Sequence, residues 1–164
     1  MRKLGIGVLG VGEMGKRHAE NLRRLVPHAQ LVAVADVDGA RAKKVAAELE
    51  IEHSYASLEA MLENKDIRAI LIATPDTFHA AAVKTAARAG RDVLCEKPLG
   101  VDLKSAKDAL QAVADAGVRL QVGFMRRYDP AYVAAAKRID ETRTDGDVLA
   151  GSKGNRTLRQ LNVP

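Results

Sequence analysis

A glycine-rich turn between a strand and a helix constrains the fold of this chain most strongly. Gly10, Gly12 and Gly15 are spaced as G-x-G-x-x-G, directly after an apolar run and before a helical pattern of apolar side chains. A second apolar run, 31–35, ends at Asp36. Glycines at this spacing, followed about 20 positions later by an acidic residue, are typical of a dinucleotide-binding βαβ unit.

Each glycine of this turn has a separate steric role. Gly10 permits the tight turn out of the strand, Gly12 lets the backbone approach a pyrophosphate, and Gly15 lets the helix pack closely on the sheet. The phosphates are expected at the start of the helix, where unpaired N–H groups and the helix dipole favour an anion. The predicted coenzyme contacts in this turn also include Glu13 and Met14.

Asp36 indicates which dinucleotide binds. Its carboxylate can accept hydrogen bonds from a ribose diol and disfavours a 2′-phosphate at the same place. The sequence therefore predicts NAD as the coenzyme, with NADP less favoured. The nearby Arg41 leaves some room for a phosphate.

Composition limits the class of protein. The chain has 164 residues, which suits one packed domain, and its 47% hydrophobic content is that of a globular protein. No apolar run approaches the roughly 18 to 20 residues that span a bilayer, so no membrane contact is expected. The single cysteine, Cys95, cannot form an internal disulfide and is expected to be a small buried side chain. These features predict a cytoplasmic protein.

The net charge of +5 does not predict nucleic-acid binding. Residues 151–164 hold three of the 26 basic residues and no acid, which leaves 23 basic against 21 acidic residues in the rest of the chain. Aromatic residues make up 3% of the chain, so few rings are available to stack on bases. Nucleic-acid binding through the basic tail therefore ranks last among the candidate functions.

Apolar strand patterns alternate with helical patterns along most of the chain. Strands are predicted near 3–9, 30–36, 68–73, 92–95 and 119–123, with a short strand possible around 53–55. This alternation predicts the α/β class, with a Rossmann-type doubly wound parallel sheet in a single domain. The domain is expected over 1–149, and 150–164, where both periodicities fail, is expected to be loop or disorder.

Capping residues mark several helix boundaries. Ser57 and Asp102 are expected N-caps, and Gly90 and Gly117 are expected to end two helices. Helices are also expected over 77–89 and, after Pro130, over about 132–139.

Three polar segments each follow one of the later strands. They are Thr74-Pro75-Asp76-Thr77-Phe78-His79, Cys95-Glu96-Lys97-Pro98, and Gly123-Phe124-Met125-Arg126-Arg127-Tyr128-Asp129-Pro130. In open α/β sheets ligands bind outside the carboxyl ends of the strands, so these segments are expected to converge on the region of the glycine turn.

These motifs together resemble the N-terminal half of the glucose-fructose oxidoreductase and inositol dehydrogenase family. The resemblance covers about residues 3–149 and is most specific at Glu96-Lys97-Pro98 and at Arg126-Arg127-Tyr128-Asp129. Among the branches of the family, these segments are most similar to the inositol 2-dehydrogenases. The resemblance implies an NAD-dependent oxidation of a ring hydroxyl on a polyol or sugar, with hydride passing to the nicotinamide.

Lys97 matches the active-site lysine of the family. The resemblance implies that its ammonium contacts the coenzyme and the substrate, and that it stabilises the reacting oxygen as negative charge develops. The alternative is a surface lysine paired with Glu96. Glu96 either touches the nicotinamide side or positions Lys97, and positioning is preferred. In the family the bond between the lysine and Pro98 is often cis.

Other residues take roles from the same resemblance. Thr74 and Pro75 match a turn that lines the nicotinamide side of the coenzyme pocket. Arg127 matches a position near the polyol in the inositol branch, whereas Arg126 is equally well a solvated or domain-bridging charge. Tyr128 is expected to serve in packing.

The histidines and the cysteine are given structural roles. His18 is expected to be a buried, hydrogen-bonded residue, and His79 is expected to cap or pack near the coenzyme turn. His28 and His53 have no partners at ligand spacing, so no metal site is predicted. Cys95 has no evident base beside it and is not expected to be a nucleophile.

Members of the family are about twice as long as this chain. Their second domain supplies a substrate-side Asp and His and usually the oligomer contacts, and that domain is not expected within these 164 residues. The chain is therefore expected to bind NAD with little turnover, and to self-associate into a homo-oligomer through apolar surface that a second domain normally covers. The alternative is a non-catalytic NAD-binding sensor or interaction module.

Overall fold

The computed structural model describes residues 3–142, which form six strands and six helices. The strands are β1 (Leu4–Leu9), β2 (Ala29–Ala35), β3 (His53–Tyr55), β4 (Ala69–Ile72), β5 (Asp92–Cys95) and β6 (Leu120–Val122). The helices are α1 (Glu13–Arg24), α2 (Gly39–Glu48), α3 (Leu58–Leu62), α4 (Asp76–Arg88), α5 (Leu103–Ala116) and α6 (Pro130–Thr142), with a 3₁₀ turn at Met125–Tyr128.

The six strands form one parallel sheet with the order β3-β2-β1-β4-β5-β6. The chain starts in the middle of the sheet, winds to one edge through β2 and β3, and returns to β4 beside β1. This is the order of a Rossmann fold, and the direction of winding reverses between β1 and β4. The α/β prediction of a doubly wound parallel sheet is confirmed.

The sheet is buried on both faces because helices cover each side. Ile70 and Ile72 of β4 belong to one core cluster and Leu71 belongs to the other, as the period of two in a strand requires. The first cluster lies against α3, α4 and α5, and the second against α1 and α2. Each Å² of apolar surface that these clusters remove from water contributes about 25 cal/mol, and this burial is the main source of the stability of the fold.

The predicted strands and caps agree closely with the structure. The short strand expected at 53–55 is β3, which pairs with β2. Ser57 Oγ accepts a hydrogen bond from the Ala60 amide at 3.2 Å, and Asp102 forms a capping box with Ser105. Gly90 and Gly117 end their helices with φ of +70° and +63°. Helix α4 has the predicted length but begins one residue earlier, and α6 extends beyond the predicted 132–139 at both ends. The predicted tail at 150–164 lies outside the described residues.

Residues up to Phe124 form one compact unit and those from Met125 a second. The described part of the second unit is the 3₁₀ turn and α6. Within it, the Arg126 guanidinium lies 4.9 Å from the ring centroid of Tyr132 and Nη1 donates to Asp129 at 3.2 Å. The prediction that Tyr128 serves in packing is wrong for the described residues, because Tyr128 is 69% exposed.

No helix within residues 3–142 has the length and apolar character that crossing a membrane requires.

An ion pair between β5 and the start of β6 predicts a dependence of stability on pH. Asp92 accepts hydrogen bonds from the backbone and the guanidinium of Arg119, and the hydrogen bond from the guanidinium lowers the pKa of Asp92. A carboxyl whose pKa is lowered by folding contributes stability above its unfolded pKa of about 4, and that contribution is lost as the pH falls through the folded pKa.

We therefore expect Asp92→Asn to lower the free energy of unfolding near neutral pH. The difference from the wild type should shrink as the pH falls from about 5 towards 2, where both side chains are uncharged. Urea titrations across this range measure the difference, and a gap that is the same at every pH would contradict the assignment.

Candidate functional site

The glycine turn after β1 has the geometry that its spacing predicts. Gly10 has φ of +82°, and a Cβ there would lie 2.8 Å from the carbonyl oxygen of Ala73. A Cβ at Gly15 would overlap the carbonyl oxygen of Gly10 and lie 3.3 Å from the Ala73 Cβ. Both positions require glycine because a side chain would collide with backbone. The start of α1 is thereby held against β1 and the end of β4.

Gly12 differs from the other two glycines because a Cβ there would meet no atom within 4 Å. It is the N-cap of α1 in extended conformation, and no side chain caps the helix. Glu13 and Met14, which follow it, are exposed. The first amides of α1 therefore open onto free space, which is the arrangement that an anion at a helix N-terminus needs.

Asp36, at the end of β2, is almost completely buried, with 5% exposure. Its Oδ2 accepts a hydrogen bond from the Val11 amide at 2.9 Å, and its Oδ1 accepts one from the Asp38 amide at 2.9 Å. Arg41 Nη1 lies 3.2 and 3.3 Å from the two oxygens. The hydrogen bond from Val11 thus ties the Asp36 carboxylate directly to the glycine turn. Neither the bond from Val11 nor the contact with Arg41 is visible in the sequence pattern.

The turn after β4 lies directly against the glycine turn. The Thr74 nitrogen is 2.9 Å from the position of a Cβ on Gly10. Thr74 Oγ1 is buried and has no hydrogen-bond partner among the described residues. Pro75 is the exposed N-cap of α4. A buried hydroxyl without a partner is costly, so its position favours a polar ligand at this turn.

His79 on α4 joins two of the predicted site segments. Its ring is 1% exposed, with Nδ1 2.6 Å from the carbonyl oxygen of Pro98 and Nε2 2.8 Å from that of Thr74. One ring therefore fixes the turn after β4 relative to the turn after β5. His79 packs beside Thr74 as the sequence predicts, and a coenzyme contact for His79 stays a prediction.

Glu96 and Lys97 follow β5 at the same edge of the sheet. The Glu96 amide donates to the carbonyl oxygen of Ile72 at 2.9 Å, which extends the pairing of β5 with β4. Glu96 Oε2 accepts a hydrogen bond from the Lys97 amide at 3.3 Å. The peptide bond between Lys97 and Pro98 is cis, as the resemblance implies. The Lys97 side chain is exposed.

His18 of α1 is the second partner of Glu96. Its Nε2 lies 2.8 Å from Glu96 Oε1, a contact across 78 positions of sequence. The side chains of His18 and Glu96 are 27% and 16% exposed. The hydrogen bond expected for His18 is present, but its full burial is not, because the ring lies at the edge where α1 meets the end of β5. A Cβ on Gly123 would lie 3.2 Å from Glu96 Oε2, so the carboxylate is enclosed on that side too.

These contacts bear on the two roles considered for Lys97, an active-site lysine and a surface lysine paired with Glu96. The carboxylate of Glu96 is engaged by His18 and by the Lys97 backbone amide. Within residues 3–142 the Lys97 ammonium has no acidic partner at ion-pair distance. This arrangement favours positioning of Lys97 by Glu96 over a surface ion pair between their side chains.

Arg127 lies in the 3₁₀ turn of the second unit and is exposed. A role for Arg127 at the polyol stays a prediction.

Cys95, the last residue of β5, is fully buried. Burial raises the pKa of its thiol to about 12. The thiolate is the reactive form, so Cys95 should not react with a disulfide reagent such as DTNB near pH 8 while the protein is folded. We expect one equivalent to react once urea unfolds the chain. Rapid reaction in native buffer would contradict this placement.

In the part of the chain that the structure describes, no three His, Cys, Asp or Glu side chains are grouped closely enough to hold a metal ion.

Comparisons with known proteins agree with this geometry. Residues 4–124 match the family model described as an oxidoreductase family with an NAD-binding Rossmann fold. The chain is 45% identical over 133 residues to the NAD-dependent scyllo-inositol 2-dehydrogenase of Bacillus subtilis, covering 81% of this chain and 39% of that protein. It is 40% identical over 148 residues to the inositol 2-dehydrogenase of Rubrobacter xylanophilus, covering 90% of this chain and 42% of that protein.

A solved structure shows the same relation. The scyllo-inositol dehydrogenase of Lactobacillus casei, determined with bound NAD(H) and scyllo-inositol, has a TM-score of 0.80 and 33% identity to this chain. The match covers 85% of this chain and 42% of that one, so the chain spans about two fifths of the length of these relatives. The chain therefore belongs to the glucose-fructose oxidoreductase and inositol dehydrogenase family, and residues 4–124 form its NAD-binding Rossmann fold.

Proposed function

We propose that this chain is the coenzyme-binding part of an NAD-dependent dehydrogenase that oxidises a ring hydroxyl of an inositol-type polyol. The observation that carries the proposal is the grouping of Gly12, Asp36 and Lys97 at the carboxyl edge of one parallel sheet, where open α/β sheets bind their ligands. The names of the relatives, which are inositol dehydrogenases, support the substrate class.

The residues present fit the coenzyme. The amides after Gly12 open onto space that a Cβ would enter, which suits a pyrophosphate. The Asp36 carboxylate lies beside that turn through its bond to Val11 and would hold the adenosine ribose. Thr74 Oγ1 is a buried polar atom without a partner among the described residues, and it would hydrogen-bond the nicotinamide side. Bound NAD supplies the acceptor for the hydride that leaves the carbon of the alcohol.

Lys97 would orient the substrate. Its ammonium would donate a hydrogen bond to the reacting hydroxyl and stabilise negative charge on that oxygen as the proton leaves. The bond from its amide to Glu96 and the bond from His79 to the Pro98 carbonyl hold its backbone on both sides. A fixed backbone limits the positions that the ammonium can reach, while its flexible four-carbon stem must still be ordered when substrate binds.

A dehydrogenase also needs a positioned base for the proton of the hydroxyl. The family resemblance assigns that base to a second domain, and the relatives are more than twice as long as the matched segment. We propose that the 164-residue chain alone binds NAD and turns over slowly, and that Arg127 contributes to polyol binding only when the site is complete.

Coenzyme binding tests the proposal first. Titration of the folded chain with NADH should give a saturable rise in nicotinamide fluorescence, and calorimetry should find one site per chain. A chain that is folded by circular dichroism but gives no heat with NAD or NADH would overturn the proposal.

Turnover tests the catalytic part. With myo-inositol or scyllo-inositol and NAD, we expect NADH production by the 164-residue chain to be slow or undetectable. Ordinary dehydrogenase turnover by this chain would contradict the need for a second domain. If a second domain is supplied and NAD binds but no polyol is oxidised, the chain is a coenzyme sensor or interaction module instead.

We also propose that the chain self-associates. Apolar side chains are exposed in the first unit at Val101, Leu103 and Phe124, with exposures of 59%, 71% and 50%. Exposed apolar groups of this size favour protein contacts. Light scattering should show a mass above 17.6 kDa that rises with concentration. A single monomeric species at high concentration would contradict it.

A further inference from the structure

The Glu96 carboxylate lies where three parts of the fold meet. Its Oε1 is 2.8 Å from Nε2 of His18 on α1, and its Oε2 accepts the Lys97 amide at 3.3 Å. On a third side, a Cβ on Gly123, after β6, would lie 3.2 Å from Oε2. The Glu96 backbone is held separately, because its amide donates to the carbonyl oxygen of Ile72 at 2.9 Å. The direction of the side chain therefore depends on its own contacts.

His18 sets that direction. A carboxylate only accepts hydrogen bonds, so Nε2 of His18 is the donor of this contact. Among residues 3–142, no other side chain donates a hydrogen bond to Glu96. The bond from the Lys97 amide is longer than the usual N–H···O distance of about 2.9 to 3.0 Å, so it is the weaker of the two. Without His18, the carboxylate is free to rotate and to release the Lys97 amide.

Helix α1 is a firm support for this donor. Gly15 brings the helix into contact with the backbone at Gly10, and Ala19, the residue after His18, is 0% exposed and belongs to the core. The first amides of the same helix open at Gly12. One helix therefore joins the expected phosphate site to the Glu96 carboxylate.

We propose that His18 is a positioning residue for Lys97. Acting through Glu96, it holds the turn after β5 so that the Lys97 ammonium reaches the nicotinamide and the reacting hydroxyl. This inference rests on the proposed function, because Lys97 has its role only in that site. It gives His18 a task that neither the glycine motif nor the Glu96-Lys97-Pro98 segment assigns to it.

Two ligands of different length separate this role from a general effect on α1. ADP carries the adenosine and the diphosphate but no nicotinamide, whereas NADH carries both ends of the coenzyme. In His18→Leu we expect the affinity for ADP, measured by calorimetry, to be unchanged, because the first amides of α1 stay in place. The affinity for NADH, measured by fluorescence, should fall about threefold to tenfold, because a contact from Lys97 worth about one hydrogen bond is lost.

Hydrogen exchange measures the step between His18 and Lys97. The exchange rate of the Lys97 amide, followed by NMR, should rise about tenfold in His18→Leu, because the carboxylate no longer holds that amide. The Glu96 amide, which donates to Ile72, should keep its exchange rate, because β5 stays paired with β4.

Three further variants serve as controls. His18→Gln keeps an N–H donor and should restore most of the NADH affinity and of the protection of the Lys97 amide. His28→Leu removes an exposed histidine elsewhere and should leave both measurements unchanged. In a Lys97→Ala background, His18→Leu should weaken NADH binding no further, because two residues that act through one contact are not additive.

The failure of this inference differs from the failure of the proposed function. Equal weakening of ADP and NADH in His18→Leu would mean that α1 itself has moved, and it would overturn the role of His18. So would a His18→Leu variant that changes NADH affinity and Lys97 exchange no more than His28→Leu does, or a His18→Gln variant that behaves like His18→Leu. A folded wild-type chain that binds neither ADP nor NADH overturns the proposed function instead, and the exchange of the Lys97 amide then still decides whether His18 acts through Glu96.

Discussion

Gly12→Val should weaken NADH binding on the order of a hundredfold, because two charge-assisted hydrogen bonds from amides to the pyrophosphate contribute about 3 kcal/mol together. The free energy of unfolding should fall by only about 1 kcal/mol, because valine is a poorer N-cap than glycine but its Cβ at this position meets no atom within 4 Å. The side chain would fill the space over the first amides of α1 that the phosphates need. The variant therefore separates the coenzyme site from the stability of the fold.

NADH fluorescence titration and urea unfolding, on the same preparation, measure the two effects. Asn21→Val, at an exposed position near the other end of α1, is the control and should retain the NADH affinity. Unchanged NADH affinity in a folded Gly12→Val protein would show that the coenzyme does not lie across this turn.

Gly15→Ala should lower the free energy of unfolding far more than Gly12→Val does. The added Cβ would overlap the carbonyl oxygen of Gly10, a backbone atom that cannot rotate away, and would press on the Ala73 Cβ at 3.3 Å. Overpacking against backbone costs about 3 kcal/mol or more, so α1 must shift away from β1 and β4 or the domain must unfold. We expect a clear loss of stability with coenzyme binding lost as a consequence.

Comparing the thermal or urea unfolding midpoints of Gly15→Ala and Gly12→Ala tests this prediction. The two variants carry the same chemical change three residues apart, yet only the first should lower the midpoint strongly. Equal midpoints would mean that α1 does not lie as close to the sheet as the structure places it.

Both predictions depend on α1, which links the proposed coenzyme end of the site to the proposed catalytic end. Its N-terminus opens at Gly12, and six residues later His18 contacts Glu96 at 2.8 Å. Glu96 in turn accepts the Lys97 amide, and His79 holds the next residue, Pro98. A displacement of α1 would therefore move Lys97 as well as the phosphate site.

The local features of this chain could be read from its sequence because they depend on near neighbours. The period of two in the strands, the caps at Ser57 and Asp102, and the steric demands at Gly10 and Gly15 each involve residues close in the chain or a backbone geometry that only glycine adopts. Their combination implied the parallel sheet and the position of the site at its carboxyl edge.

Tertiary structure alone decided which side chains meet. The contact of His18 with Glu96 spans 78 positions, and His79 bridges turns that follow two different strands. The hold of Arg41 on Asp36 depends on how α2 leaves β2. No periodicity encodes such contacts, because they arise from the order of strands and the placement of helices on the sheet. The sequence thus determined the fold and the residues at the edge of the sheet, and packing determined the partner of each.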